Sequence, residues 1–222
     1  MLANKSIVKT DFDPLTGTDS AKEARERMKE EGLKTLPVVD STTRKLIGQV
    51  GMGQLEDIGD KAAISQVNLR EAVKAFQGQH IFEVARLMFQ YELPVLPIVD
   101  EEETFLGIIT KQQVLEALSK MLNLAEFGSV LTISLDPVDF TISEIVQIIE
   151  TEGAKILGVT VESPGDNKKI FEVSFKLNLK DVSRVKAALN RYGYDVIAES
   201  ESTVYGKDLE NRADELLKYI DM

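Results

Sequence analysis

The run TLPVVD at residues 35–40 returns as VLPIVD at residues 95–100, 60 positions further along the chain. Downstream of each run, Leu-Ile-Gly at residues 46–48 corresponds to Phe-Leu-Gly at residues 105–107, after one extra residue in the first copy. Agreement over so many positions indicates an internal repeat, and repeated units of this kind bury their apolar faces against each other. The sequence therefore predicts a front half that is built twice.

Each copy has the same local pattern. Ser20 and Glu23 have the spacing of a capping box and Gly32 stands where a C-terminal cap belongs, which predicts a helix between them. Two short apolar runs separated by polar turn residues follow in each copy and predict paired strands. These strands are expected at residues 36–39 and 46–50, and again at 96–99 and 105–109. A second helix is predicted from Thr110 to about residue 125.

Beyond residue 127 the repeat does not return, and the pattern of apolar residues reads β-α-β-β-α-β, the order of a ferredoxin-like domain. Thr141 and Glu144 have capping-box spacing at the start of its first helix. The last segment carries one apolar stripe, which predicts a C-terminal helix lying on its own chain or on a second subunit. The fold class is therefore α/β (α+β), with predicted domains at residues 1–65, 66–126, 127–204 and 205–222.

Composition restricts the function classes. The chain has 222 residues and a net charge of −11, which repels nucleic acid before any contact forms. It has no Cys and one His, so disulfides, thiolate zinc sites and cysteine nucleophiles are excluded. No catalytic residue, metal ligand or cofactor is predicted, and we do not expect an enzyme. The absence of a long apolar run and of a signal peptide favours a cytoplasmic protein with no membrane partner.

These features resemble the tandem module named after cystathionine β-synthase, the CBS pair or Bateman module. The resemblance covers residues 1–125 and rests on the two proline-containing strands, the helix before each and the glycine-containing strand after each. It implies two β-α-β-β-α units with pseudo-twofold symmetry and two clefts between them. The following βαββαβ segment, attached to such a pair, resembles the ACT-type domain of the acetoin-utilisation-type CBS proteins.

The resemblance also implies a ligand site. In the CBS family, Gly, two apolar residues, Thr or Ser, two variable residues and Asp mark the junction where a hydroxyl meets phosphate and the Asp holds the ribose. In the second copy Gly107 and Thr110 match, whereas Gln113 replaces the Asp. In the first copy Gly51 and Gln54 replace the hydroxyl and the Asp, so this site is expected to be degenerate. The candidate ligand-binding residues are Leu96, Pro97, Gly107, Ile109, Thr110, Lys111 and Gln113.

Structural roles compete with these assignments. The Thr110–Gln113 spacing is itself a capping box, which starts a helix whether or not a ligand binds. His80 aligns with Ser20 and is expected to cap a helix rather than to contact a ligand. The turn at residues 136–140, where ACT domains bind small ligands, has no glycine and carries two carboxylates, which favours an interface instead.

Two functions remain open. The first is a non-enzymatic regulatory protein that binds an adenine nucleotide or a related metabolite (AMP, ADP, ATP or S-adenosylmethionine) and signals through the ACT-like domain. The second is a dimeric assembly or interaction protein whose degenerate clefts bind nothing. A homodimer is expected in either case, and a protein partner is a further candidate.

Overall fold

The computed structural model describes residues 1–3, 7–136, 141–163 and 170–201. The chain divides into two compact units, Met1–Leu118 and Ser119–Met222. The predicted C-terminal helix and most of the turn at residues 136–140 lie outside the described residues.

Two copies of one β-α-β-β-α unit build the first compact unit. The first copy consists of β1 (Leu15–Thr16), α1 (Ala21–Glu30), β2 (Thr35–Val39), β3 (Leu46–Gly51) and α2 (Met52–Leu55), followed by a 3-10 turn at Ile64–Gln66. The second consists of β4 (Ala75–Phe76), α3 (Ile81–Gln90), β5 (Val95–Val99), β6 (Phe105–Thr110) and α4 (Lys111–Met121). The four strands predicted from apolar runs are confirmed to within one residue at each end.

The two three-stranded sheets have the same design. Their orders are β1-β2-β3 and β4-β5-β6, each with one parallel and one antiparallel pair. The antiparallel register shifts between Val38 and Val39 in the first copy and between Ile98 and Val99 in the second, at equivalent positions. The predicted repeat is therefore a repeat of backbone geometry and not only of sequence.

Helix starts follow the predicted caps. Ser20 accepts from the Glu23 backbone N–H, and the Glu23 carboxylate accepts from the Ser20 N–H, which completes the capping box of α1. At the equivalent position His80 caps α3, because its Nδ1 accepts the Phe82 N–H at 3.3 Å. Gly32 ends α1 in the left-handed region, with φ of +65°.

The two copies exchange chain segments, a feature the sequence did not predict. Lys9, before the first copy, pairs with Ile108 in the second copy, while Arg70, before the second copy, pairs with Gln49 in the first. A single core cluster contains first-copy residues such as Leu36 together with Val99, Phe105 and Ile108 of the second copy. Residues of the second copy therefore complete the core of the first.

The second compact unit has the ferredoxin-like order that was predicted. Its elements are β7 (Ser129–Leu135), α5 (Ile142–Thr151), β8 (Ile156–Glu162), β9 (Phe171–Leu177), α6 (Ser183–Arg191) and β10 (Asp195–Glu201). They form an antiparallel sheet of order β10-β7-β9-β8. Buried side chains from one sheet face and both helices form its core, among them Leu131, Ile133, Phe175, Ile145 and Val185.

One predicted cap in this unit is wrong. Thr141 precedes α5 but its side chain makes no capping hydrogen bond. Glu144, the expected capping-box partner, accepts instead from the Tyr194 hydroxyl at 2.7 Å. A tertiary contact has taken over the carboxylate that the local spacing assigned to the helix start.

Among the described residues, no helix is long and apolar enough to cross a membrane.

Candidate functional site

The junction between β6 and α4 contains the central site candidates. The Gln113 side-chain oxygen accepts the Thr110 backbone N–H at 2.8 Å and lies 3.1 Å from the Thr110 hydroxyl, which donates to it. In return the Gln113 backbone N–H donates to the Thr110 hydroxyl at 3.2 Å. Thr110 and Gln113 thus form a complete capping box, as their spacing predicted.

The backbone and side-chain donors of this junction differ in whether they have partners. The backbone N–H of Lys111 donates to the Pro94 carbonyl at 3.1 Å. Within the described part of the chain, the backbone N–H of Gln112 and the side-chain amide nitrogen of Gln113 have no partner. Free N–H groups at the positive end of a helix dipole are suited to an anionic or hydroxyl-bearing ligand.

At the equivalent junction of the first copy the glutamine side chain is engaged differently. The Gln54 oxygen accepts the Gly51 N–H at 2.9 Å, and the Gln54 amide nitrogen donates to the Asn68 carbonyl at 2.6 Å. Both ends of this side-chain amide are therefore occupied, and Gly51 contributes no hydroxyl. The two junctions share their backbone but differ in the polar groups that they leave available.

The other candidates from the sequence lie in the sheet of the second copy. Leu96 is directly opposite Ile109 in the β5–β6 register, and the side chains of both are fully buried. Pro97 is also buried and pairs with Ile108. These side chains support the junction from the core and present no surface to solvent.

Gly107 has a packing role that its sequence position did not reveal. A Cβ at this residue would lie 2.4 Å from the Lys9 carbonyl oxygen and 2.8 Å from a Val8 methyl carbon. Gly48 in the first copy has the same relationship to Arg70, whose carbonyl would lie 2.8 Å from its Cβ. The repeated glycine was the available signal for the exchanged segments, because only glycine permits such close backbone approach.

A groove lies beside the junction. It has a volume of 590 Å³ and is lined by Ala85, Met88, Phe89, Gln90, Glu92, Lys111 and Val114. The groove separates the C-terminal part of α3 from the first turn of α4. Lys111 therefore belongs both to the helix start and to the groove wall. The described residues contain no cluster of three or more potential metal-ligating side chains.

A protein-family model matches both copies of the repeat. The CBS domain model matches residues 5–55 and 64–120, one match for each copy of the repeat. The chain contains a CBS domain pair. The prediction drawn from the repeated proline strands is confirmed, and the β6–α4 junction is the strand–helix junction of the second CBS domain.

Relatives match the same region. An uncharacterised protein of Methanocaldococcus jannaschii is 30% identical over 101 residues, which are 45% of this chain and 37% of that protein. The inosine-5'-monophosphate dehydrogenase of the same organism is 30% identical over 115 residues, or 51% of this chain and 23% of the enzyme. The chain thus matches less than two fifths of the length of these relatives.

Among solved structures, a CBS domain pair/ACT domain protein from Thermotoga maritima aligns with a TM-score of 0.48 and 25% identity. The alignment covers 54% of this chain and 98% of that one.

Proposed function

We propose that this chain is a non-enzymatic regulatory protein whose second CBS domain binds one adenine nucleotide or related metabolite, from among AMP, ADP, ATP and S-adenosylmethionine. The observation that carries the proposal is the difference between the two junctions. The amide nitrogen of Gln113 is free among the described residues, whereas that of Gln54 donates to Asn68.

Each residue at the junction has a role in this proposal. The free N–H of Gln112 and the exposed ammonium group of Lys111 receive the phosphate, or for S-adenosylmethionine its carboxylate. The Gln113 amide nitrogen donates to a ribose hydroxyl without disturbing the oxygen that caps the helix. Because Gln lacks the charge of the family's Asp, its hydrogen bond to ribose is weaker, and moderate affinity is expected.

The proposed stoichiometry is one ligand per chain. At the first junction Gly51 supplies no hydroxyl and the Gln54 amide is engaged at both ends. A ligand that used the Gln54 amide nitrogen would have to displace it from the Asn68 carbonyl. The signal from the second domain is proposed to pass to the ferredoxin-like unit or to a protein partner, with the chain acting as a homodimer in the cytoplasm.

The test is a thermal-unfolding and calorimetric titration with the four ligands. A ligand at 100 times its dissociation constant stabilises the native state by about 2.7 kcal/mol, a shift of several degrees. Gln113→Asp restores the family's carboxylate and is expected to tighten binding about fivefold to tenfold. The matched control is Gln54→Asp in the first domain, which is expected to leave affinity unchanged.

Two results would contradict this proposal. One is a melting temperature that none of the four ligands shifts at millimolar concentration, about the upper end of the range in which proteins bind cellular metabolites. The other is binding that responds to Gln54→Asp but not to Gln113→Asp, which would locate the ligand in the first domain.

The second candidate function is a dimeric assembly protein with clefts that bind nothing. The capping box favours this function. The Gln113 oxygen accepts hydrogen bonds from both the N–H and the hydroxyl of Thr110, so the start of α4 is a sufficient reason for these two residues without any ligand. A stable dimer in sedimentation, together with no ligand response, would support this function. A monomer would exclude it.

A further inference from the structure

The groove beside the β6–α4 junction carries two opposite charges. Glu92 and Lys111 both line it, Glu92 from the segment that follows α3 and Lys111 as the first residue of α4. Both residues are exposed, and within the part of the chain that the structure describes neither has an ion-pair partner. The groove therefore offers one anionic and one cationic group to a ligand.

Backbone hydrogen bonds set the positions of these two charges. The N–H of Glu92 donates to the Phe89 carbonyl at 3.3 Å, which closes the end of α3. The N–H of Lys111 donates to the Pro94 carbonyl at 3.1 Å, and Pro94 is only two residues from Glu92. One short backbone segment thus connects the acidic wall of the groove to the start of α4, and no salt bridge is needed to hold the two charges in place.

The first CBS domain has neither charge. In the repeat Gly32 corresponds to Glu92, and Met52 corresponds to Lys111. Glu92 adopts a φ of +52°, in the left-handed region that Gly32 occupies at +65° and that strains a residue with a Cβ. A carboxylate that is kept at a strained position, where glycine would fit without cost, indicates a function for that carboxylate.

We propose that the ligand of the second CBS domain has an α-amino acid tail and that this groove receives the tail. Of the four ligands in the proposed function only S-adenosylmethionine has such a tail, so the inference rests on that function and names its ligand. Lys111 and the Gln112 N–H receive the carboxylate of the tail, and Glu92 receives its ammonium group. The ribose stays at the Gln113 amide, on the same first turn of α4.

The charges of the groove oppose a phosphate tail. Among the described residues that line it, Lys111 is the one cation, and Glu92 adds a negative charge to the same groove. A triphosphate would meet one attractive and one repulsive group, on a chain whose net charge is −11. An α-amino acid group carries one charge of each sign and satisfies both side chains. The groove therefore favours this group over phosphate.

The apolar surface of the groove suits the rest of the tail. Met88 and Val114 are buried residues that line it, and its volume of 590 Å³ lies within the range of about 300–1,000 Å³ found for small-molecule sites. Phe89 also lines the groove and is 88% exposed. Because an aromatic face attracts a cation, Phe89 is assigned to the sulfonium group, which joins the ribose to the amino acid part of S-adenosylmethionine.

The experiment is a calorimetric titration of the full chain with S-adenosylmethionine, S-adenosylhomocysteine, AMP and ATP. The wild type is expected to bind S-adenosylmethionine at least about tenfold more tightly than AMP or ATP, as one additional charge-assisted hydrogen bond provides. Glu92→Gln keeps the shape of the side chain and removes its charge. It is expected to weaken S-adenosylmethionine about tenfold without weakening ATP.

Two further variants guard this result. Glu92→Gly also removes the carboxylate but relieves the backbone strain at φ +52°, so loss of binding in this variant does not arise from a damaged fold. Glu101→Gln, at an exposed position of the β5–β6 hairpin, is the matched control and is expected to change neither affinity. Circular dichroism confirms the folding of each variant.

Phe89→Leu tests the aromatic contact. Leucine keeps an apolar surface but has no aromatic face, so S-adenosylmethionine is expected to lose about threefold in affinity. S-adenosylhomocysteine lacks the sulfonium charge and is expected to lose less. Equal losses for these two ligands would overturn the assignment of Phe89.

The inference and the proposed function fail in different ways. If AMP or ATP binds at least as tightly as S-adenosylmethionine, the inference is overturned while the proposed function stands. The same holds if S-adenosylmethionine binds the wild type, Glu92→Gln and Glu92→Gly with equal affinity. If none of the four probes binds the wild type, the proposed function itself is contradicted and the inference falls with it.

Discussion

The backbone N–H of Leu46 donates to the carbonyl oxygen of Glu103 at 3.0 Å. The reciprocal bond runs from Phe105 to the carbonyl of Arg44 at 2.9 Å. Leu46 and Phe105 are equivalent in the repeat, as are Arg44 and Glu103, so each bond is the image of the other. These two reciprocal hydrogen bonds form a symmetric backbone bridge that joins the two CBS domains.

The first prediction concerns this joint. Phe105 is buried in the core cluster that both domains share and lies 6.4 Å from the ring of Phe12. Phe105→Ala is expected to destabilise the CBS pair by about 3–5 kcal/mol through lost burial and a residual cavity. Hydrogen exchange should accelerate in the strands of both domains. Exchange that accelerates only in the second domain would contradict the shared core, and Ile47→Ala, at an exposed position, serves as the control.

The exchanged segments yield a second prediction. Gly107→Ala would place a methyl group 2.4 Å from the Lys9 carbonyl oxygen, so the segment before the first domain must shift. We expect a loss of about 2–3 kcal/mol in urea unfolding. Gly53→Ala is the control, because a Cβ there meets no atom within 4 Å and α2 gains helix propensity. Equal effects of the two variants would contradict the close approach.

The backbone bridge and the exchanged segments show which parts of the fold the sequence could predict and which it could not. The paired strands and the Ser20–Glu23 cap follow from patterns only a few residues long, and the structure confirms them. The pairing of Lys9 with Ile108 joins residues about one hundred positions apart, and no local pattern encodes it. Only the glycine that recurs in both β3 and β6 indicated that some backbone passes close by.

The candidate site was predictable to the same extent. The Thr110–Gln113 hydrogen bonds follow from their spacing, because capping is a local interaction. The engagement of Gln54 by Asn68 depends on where the linker between the domains passes, which is a tertiary fact. The α3–α4 groove likewise depends on how two helices from different parts of the second copy pack, which no local pattern encodes.

A third prediction isolates the backbone strain at Glu92. Both Glu92→Gly and Glu92→Ala remove the carboxylate, but only glycine occupies a φ of +52° without steric cost. The glycine variant is therefore expected to be more stable than the alanine variant by about 1 kcal/mol in chemical denaturation. Two variants of equal stability would show that the left-handed conformation is not retained after substitution.

The last prediction concerns acid stability. The Ser20 backbone N–H and hydroxyl hold the pKa of the Glu23 carboxyl below its usual value of 4.5. Because this pKa is lower in the folded chain than in the unfolded one, the ionised carboxylate stabilises the fold fully above pH 4.5. As the pH falls below 4.5 the unfolded chain takes up the proton first, and the contribution is lost as the pH falls through the lowered folded-state pKa.

Glu23→Gln removes this titration. The variant is expected to be less stable than the wild type at neutral pH, and the difference should shrink steadily as the pH falls below 4.5. Urea unfolding at a series of pH values measures it, with Glu101→Gln at an exposed hairpin position as the control. A difference that stays constant or grows on acidification would mean that Glu23 stabilises α1 by its shape and not by the charge that Ser20 binds.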